Sequence, residues 1–217
     1  MKISEKTQDI LDNFSTINRS MLFRPGNKIA TIAASEGIYA VATVDENFEL
    51  EFGIDDLKRF KSVLSMFEDP TLKFGKEQVT ISSGKQKVHY TYKEPSLITA
   101  PPDKEIKFGP VITEFKIDKK TMKEITKLGS LLGSSDVVFY ADGKTLSVMT
   151  VDSRNPTGDD FTVDVADTEE KFRIVVSNEN MKIIPDNYDV RVSKNLINFG
   201  NDVVQYYVAV EKKKSEI

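Results

Sequence analysis

The chain has 217 residues, no cysteine, a hydrophobic fraction of 39% and a formal net charge of −4 at pH 7. This length allows one large domain or two domains of about 100 residues, and the apolar content supports a folded core. The composition excludes disulfides and thiolate chemistry, no apolar run is long enough to span a bilayer, and the first residues lack the apolar core of a signal peptide. We therefore expect a cytoplasmic protein without a membrane anchor.

The negative net charge argues against a nucleic-acid partner unless the cations are gathered on one surface. The lysines do concentrate in the predicted helices, whereas the acidic residues cluster in loops and at strand ends. These acidic clusters lie at residues 45–46, 68–69, 159–160 and 167–170.

The first half of the chain predicts two amphipathic helices, each followed by strands. The first helix begins at Ser4 and turns Gln8, Asp12 and Ser15 outward. The second, over 54–67, follows an aspartate cap and carries Lys58 and Lys61 off its apolar stripe. Alternation and turn signals predict strands at 21–23, 29–33, 38–44, 48–52, 72–74, 79–81 and 88–92.

Four prolines between residues 94 and 110 interrupt this pattern and indicate an extended connector. We place this connector at residues 95–110. It separates an N-terminal domain of residues 1–94 from a C-terminal domain of residues 111–217.

The second half repeats the plan with its most informative helix, predicted over 117–132. Asp118 serves as the N-cap, and a buried stripe runs through Met122, Ile125, Gly129 and Leu132. The opposite face carries four cations: Lys119, Lys120, Lys123 and Lys127. Such a face is often only solvated surface, but here it occurs in a helix layout that the chain repeats.

The remaining segments complete four helix-then-strands units. Strands are predicted at 111–115, 137–140, 145–151, 161–165, 172–176, 190–192, 196–199 and 205–210, with a short fourth helix over 176–184 that Pro185 stops. We expect the charged tail at 211–215 to be mobile. The pattern predicts an α+β architecture, with two helices on a curved antiparallel sheet in each half.

Motifs in order along nearly the whole chain resemble the DNA polymerase sliding clamps of T-even-type bacteriophages. The segments that carry the resemblance are residues 1–4, 11–18, 39–42, 56–65, 95–101, 180–182, 185–188 and 207–211. The resemblance implies the DNA clamp fold of the proliferating cell nuclear antigen and a head-to-tail homotrimeric ring that encircles double-stranded DNA without reading its sequence. It also implies binding of the phage DNA polymerase C-terminal peptide, an ATP-dependent clamp loader and late-transcription factors.

Three sets of residues follow from this resemblance. The channel cations would be Lys58, Lys61, Lys119, Lys120, Lys123, Lys127 and Lys182, with Lys2 and Arg19 less securely placed. The partner pocket would be bordered by Leu97, Ile98, Tyr207, Val208 and Val210, although Leu97 and Ile98 alternatively pin the connector to the core. The subunit interface would pair Val88, His89 and Tyr90 with Phe161, Val163 and Val165 of the neighbour. The first helix departs from the pattern because its outward face lacks lysine.

Two other classes of function compete with this interpretation. An enzyme would have to use His89, the only histidine, but a lone strand histidine is usually structural and no catalytic motif accompanies it. The acidic pair Asp159 and Asp160 lies in a loop, where such pairs are commonly solvated. A β-rich structural virion protein would explain the strands but not the lysine-bearing helices. We therefore expect no enzyme activity, catalytic residue, metal or cofactor.

Overall fold

The computed structural model describes residues 1–103, 106–155 and 157–216, and within them it shows an α+β fold of three α-helices and fifteen β-strands. Two compact units divide the chain: residues 1–34 with 39–102, and residues 35–38 with 103–217. The predicted connector at 95–110 is therefore shared between them, and its positions 104 and 105 lie outside the described residues. The predicted domain boundaries stay a prediction.

The first unit contains two helices and seven strands among its described residues. In chain order these are α1 (Glu5–Ile17), β1 (Met21–Phe23), β2 (Gly26–Ile32), β3 (Ile38–Phe48), β4 (Phe52–Ile54), α2 (Leu57–Leu64), β5 (Thr71–Phe74), β6 (Gln78–Ser83) and β7 (Gln86–Thr91). β1 pairs with β4 and β2 with β3, while β5, β6 and β7 form an antiparallel sheet in that order. This order leaves β7 at the edge of its sheet.

Aromatic side chains fill the core of the first unit where its strands meet. Phe23 and Phe52 stack with ring centroids 4.6 Å apart, and Phe74 lies 5.1 Å from Phe52. Both predicted helices are confirmed, and each buries its apolar stripe: Phe14 of α1 is 0% exposed and Leu57 of α2 is 0% exposed. Burying such large side chains contributes about 1.5–3 kcal/mol each.

The second unit consists of two antiparallel sheets and one α-helix among its described residues. Its elements are β8 (Val111–Ile117), α3 (Lys119–Leu131), β9 (Asp136–Asp142), β10 (Thr145–Val151), β11 (Phe161–Asp167), β12 (Lys171–Ser177), β13 (Tyr188–Ser193), β14 (Leu196–Gly200) and β15 (Val204–Ala209). One sheet has the order β11-β10-β9-β12, and the other runs β8-β13-β14-β15. β11 thus lies at the edge of its sheet.

The prediction of a fourth α-helix at 176–184 is wrong. β12 extends through Ser177, and only one 3₁₀ turn, Asn178–Asn180, fits before Pro185. The amide of Met181 donates to the carbonyl oxygen of Asn178 at 3.0 Å, and the Asn178 side chain donates to the Ser134 carbonyl oxygen at 3.0 Å. The Asn178 side chain thus ties this turn to the loop before β9.

The prediction of a mobile tail is also wrong. Glu211 donates its amide to the Val175 carbonyl oxygen at 2.8 Å, and Glu216 exchanges two backbone hydrogen bonds with Arg173 at 2.7 and 2.8 Å. Between these contacts the chain forms a 3₁₀ turn, Lys212–Lys214. The tail therefore covers the outer edge of β12, which would otherwise expose unpaired backbone groups.

Candidate nucleic-acid interface

The outer face of α3 is a basic surface of the second unit. Asp118 caps the helix by accepting from the Thr121 amide at 2.7 Å, and this hydrogen bond lowers the pKa of the Asp118 carboxyl. The inner face buries Met122, Ile125 and Gly129. Because the helix turns by about 100° per residue, burial of one face leaves the opposite face exposed to solvent. Four predicted cations, Lys119, Lys120, Lys123 and Lys127, are exposed there.

Gly129 brings α3 close to the sheet beneath it. A β-carbon at this position would lie 3.0 Å from the Asn178 side-chain oxygen and 3.2 Å from the Thr150 methyl carbon. The helix is therefore held against its sheet at a distance that a larger residue would disturb. The lysine face is presented from a fixed element of the fold.

Acidic side chains do little to neutralise the lysines of α3. Lys120 lies 3.9 Å from Glu124 in an i,i+4 pair that is largely exposed, since the Lys120 side chain is 84% accessible. Pairs of this kind contribute only about 0.3–0.5 kcal/mol. Within the described residues, Lys119, Lys123 and Lys127 form no salt bridge, so α3 keeps a net positive outer face.

The two predicted cations of α2 have different environments. Lys58 is exposed, whereas the Lys61 side chain is only 13% accessible. Lys61 forms an ion pair with Asp12 and donates from Nζ to the Gln8 carbonyl oxygen at 2.8 Å. Lys61 therefore joins α2 to α1, and we remove it from the set of side chains available to a nucleic acid.

The exposed surface of α1 is acidic rather than neutral. Glu5, Asp9 and Asp12 are exposed, against the single cation Lys6, while Ser15, which the sequence pattern placed outward, is buried and donates to the Asp12 carbonyl oxygen at 2.6 Å. An acidic face does not attract phosphate. Of the two helices of the first unit, α2 is thus the one that carries the predicted cations.

The other predicted cations lie outside the helices. Lys182 is exposed after the 3₁₀ turn that replaces the fourth helix. Lys2 forms an ion pair with Asp69, and Arg19 lies 3.0 Å from the Asp56 carboxylate that caps α2. Both Lys2 and Arg19 are thereby drawn toward carboxylates of their own unit.

The residues predicted for the partner pocket divide into exposed and buried members. Leu97 is 66% exposed, whereas Ile98 is 9% exposed and packs against the backbone of Gly53, where an added β-carbon would lie 2.8 Å from Ile98 Cγ1. Ile98 therefore pins the connector to the first unit, as the alternative interpretation held. Of these two residues, Leu97 is the one that presents its side chain to solvent.

The C-terminal strand divides in the same way. Val208 is 0% exposed and Val210 is 8% exposed, so both belong to the core of the second unit. Tyr207 is half-buried, with its ring centroid 6.4 Å from that of Phe108 in the connector. Arg191 lies over the other ring of this pair, 5.1 Å from the Phe108 centroid. Tyr207 is thus the predicted residue of this strand that borders the surface.

The six residues predicted for the subunit interface lie on the two edge strands, β7 and β11. Tyr90 is buried against Phe60, with ring centroids 5.1 Å apart. Val88 and the three residues of β11 are half-buried, and His89 is exposed. His89 Nδ1 lies 3.0 Å from Thr80 Oγ1 on the neighbouring strand. The edge positions leave each strand one side on which a further strand can pair.

Comparisons with known proteins agree with this architecture. The family model for the DNA polymerase processivity factor matches residues 2–100. The chain is 25% identical over 222 residues to the sliding clamp of Vibrio phage KVP40, covering 97% of this chain and 99% of the relative. It is 24% identical over 226 residues to the sliding clamp of Enterobacteria phage T4, with 97% of both chains covered.

The fold has a close counterpart among solved structures. The A. fulgidus PCNA, solved with the C-terminal region of FEN-1, superposes with a TM-score of 0.72 at 11% sequence identity and covers 97% of this chain and 96% of that one. At such low identity the superposition establishes the fold alone. The chain has the DNA clamp fold.

The sequence similarity identifies which clamp proteins the chain resembles. The matches to phage sliding clamps run over almost the full length of both chains, and the motifs predicted the same family. The chain is similar over almost its whole length to the sliding clamps of T4-type bacteriophages. Proteins of this class are scaffolds rather than enzymes, which agrees with the prediction from the sequence. In the part of the chain that the structure describes, no helix is long and apolar enough to cross a membrane.

Proposed function

We propose that this chain is a processivity factor that encircles double-stranded DNA as a homotrimeric ring and tethers the phage replicative DNA polymerase. The single observation that carries the proposal is the outward lysine face of α3 on a clamp fold whose relatives are sliding clamps. Lys58 of α2, in the first unit, and Lys182, in the second, are further exposed cations. The site of action would be the host cytoplasm during infection.

The chemistry of these cations suits a ring that slides. Lysine ammonium groups attract phosphates as mobile point charges, whereas the planar arginine fork makes bidentate, longer-lived contacts. All four cations on the outer face of α3 are lysines. Attraction of this kind does not depend on base sequence, because no helix has to enter a groove. A ring with such a lining stays on DNA by topology and moves because each contact is weak.

The similarity to phage sliding clamps supports the remaining partners of the proposal. The polymerase would attach through an apolar C-terminal peptide, and Leu97 and Tyr207 are the predicted pocket residues that reach the surface. An ATP-driven loader would open the ring, and late-transcription factors would use the same platform. No cofactor is part of this function.

Loading and processive synthesis test the proposal directly. A cognate polymerase copying a primed circular template should make much longer products when the chain, its loader and ATP are all present. Omitting the loader or ATP should remove this stimulation. A chain that changes product length equally well without loader and ATP, or never changes it, contradicts the proposal.

The lysines of α3 can be tested by charge reversal. The double substitution Lys123→Glu and Lys127→Glu should weaken retention on circular DNA and make that retention less steeply dependent on salt, because each lost phosphate contact lowers the slope by about 1. Trimer formation should not change. Lys144→Glu with Lys171→Glu, on exposed residues away from α3, is the matched control. Equal retention by the two double variants at low salt would contradict the assignment.

A further inference from the structure

Among the strand edges that lack a partner strand in the described part of the chain, two are complementary in charge, one in each unit. β7 ends the sheet β5-β6-β7, and β11 ends the sheet β11-β10-β9-β12. Exposed basic residues lie along β7, and exposed acidic residues lie along β11. The hydrogen bonds of the neighbouring strands show which backbone groups point away from each sheet.

On β7, the odd-numbered residues point outward. Beyond the end of β7, the Tyr92 amide donates to the Glu77 carbonyl oxygen at 2.9 Å, on the side of β6. Hydrogen-bonding direction alternates along an antiparallel strand. The backbone groups of Lys87, His89 and Thr91 therefore face the open edge. This edge ends at Lys93, whose amide donates to the Gly53 carbonyl oxygen at 2.8 Å.

On β11, the outward direction is fixed by the hydrogen bonds at the opposite, covered edge of its sheet. Arg173 and Val175 of β12 bond outward to the tail, so the residues between them bond to β9. The alternation continues from β9 to β10 and from β10 to β11. The backbone groups of Phe161 and Val163 therefore point toward β10. Thr162 and Asp164 therefore face the open edge.

A β-bulge shifts the alternation near the end of β11. The register with β10 slips between Leu146 and Ser147, which leaves Val165 as the extra residue. Beyond it, the Thr168 amide donates to the Lys144 carbonyl oxygen at 2.9 Å, so Asp167 is the next group that faces outward. Each edge thus offers three outward residues in its strand.

The side chains obey the same alternation as the backbone. On β7, Val88, Tyr90 and Tyr92 are turned toward the core, and on β11 so are Phe161 and Val163. In an antiparallel pair, directly opposed residues lie on the same face of the sheet. A register that places outward backbone groups of the two edges opposite each other therefore also places core-facing side chains opposite core-facing side chains. The two edges are compatible as neighbours in one continuous sheet.

We propose that the ring closes through one specific antiparallel register, in which Thr91 of one copy lies opposite Thr162 of the next and His89 lies opposite Asp164. This inference rests on the proposed ring. In this register all three outward residues of β7 are used, and Lys87 falls beside Asp167. Shifting the strands by two residues in either direction leaves part of one edge unpaired.

Charge complementarity supports a second copy of this chain as the occupant of each edge. Lys87 and Lys93 are exposed along the β7 side, and they meet Asp167 and Asp160, while the exposed His89 meets Asp164. Ser147 Oγ donates to Asp164 Oδ1 at 2.6 Å and so orients this carboxylate. Opposite charges on facing strands favour the register, and they speed the encounter of the two copies at low salt.

The absence of native cysteine allows a direct test of the register. Opposed hydrogen-bonded residues have Cα atoms about 5.5 Å apart, within the range that a disulfide spans, whereas residues displaced by two positions do not. The pair Thr91→Cys and Thr162→Cys should give covalent dimers and trimers on mild oxidation. The displaced pairs Thr91→Cys with Asp160→Cys, and Thr91→Cys with Asp164→Cys, are the controls and should cross-link at least about tenfold more slowly.

Charge exchange gives a second measurement. His89→Glu should place two carboxylates opposite each other and weaken trimer formation at least about tenfold at low salt, and adding Asp164→Lys should restore it. Asn27→Glu, an exposed residue of β2, controls for the added negative charge.

The outcomes separate this inference from the ring itself. A native trimer that cross-links faster through a displaced pair, or shows no rescue by Asp164→Lys, overturns the register and leaves the ring standing. A chain that is monomeric at every concentration overturns both.

Discussion

At the scale of single residues, Asp136 and Lys214 form the most deeply placed ion pair among the described salt bridges. The Asp136 side chain is 1% accessible, and Lys214 Nζ lies 2.8 and 3.0 Å from its two oxygens. Burial by itself would raise the pKa of the Asp136 carboxyl, but hydrogen bonds from Lys214, Ser153 and Ser135 outweigh burial and lower it. The pair holds the tail to the rest of its unit.

This ion pair predicts an acid-sensitive stability. Because the pKa of Asp136 is lower in the folded chain, the pair stabilises fully above the unfolded carboxyl pKa of about 3.9 and loses its effect as pH falls through the folded value. Lys214→Met should lower the free energy of unfolding at pH 7 by about 1–3 kcal/mol, because it leaves a buried carboxylate without its ion-pair partner. The free energy of unfolding of this variant should also fall less steeply than that of the native chain as the pH is lowered below about 5.

Denaturant unfolding at several pH values measures this effect. Lys213→Met, one residue away and exposed, is the control. Equal unfolding free energies for the two variants at pH 7 would show that the pair does not hold the tail.

Contacts between residues that are near in the chain were predictable from the sequence. The cap of α3 by Asp118 was predicted because the acceptor and the amide of Thr121 are three residues apart. Lys61 and Lys214 were not predicted as ion-pair members, because their carboxylates lie 49 and 78 positions away. Only the folded chain brings these groups together.

At the scale of elements, α1 and α2 form one electrostatic unit, while α3 carries an unneutralised basic face. Lys61 joins the two helices of the first unit, and the exposed carboxylates of α1 lie on a neighbouring helix. The three α-helices were predictable because each has an apolar stripe and a cap. The prediction of a fourth helix failed because strand β12 extends into the start of the predicted segment. Over so short a segment, the spacing of apolar residues does not distinguish a helix from a strand.

The two lysines of α2 should therefore behave differently on substitution. Lys61→Met should lower the free energy of unfolding by about 1 kcal/mol, because it removes a partly buried ion pair and a hydrogen bond, with little effect on retention on DNA. Lys58→Met should weaken retention and leave stability nearly unchanged. Thermal unfolding and retention on circular DNA separate the two effects. The opposite pattern would restore Lys61 to the set of DNA-contacting cations.

At the scale of the whole molecule, the net charge of −4 is compatible with a DNA partner because charge is segregated by element. The helices α2 and α3 present lysines, and loops and edge strands carry carboxylates such as Asp159 and Asp160. The α+β class and the repeated plan were predictable from periodicity and turn signals. The hydrogen-bonding direction of the edge strand β11 was not predictable, because it depends on the pairings of four strands in one sheet.

The enclosing ring is the central claim, and the native mass of the particle across a range of concentrations tests it most directly. The account predicts a species of three times the 24.4 kDa chain mass that dissociates on dilution. It also predicts that raising the salt concentration shifts this equilibrium toward the single chain. A chain that keeps its single mass at every concentration, or that assembles without limit instead of closing at three copies, would contradict it.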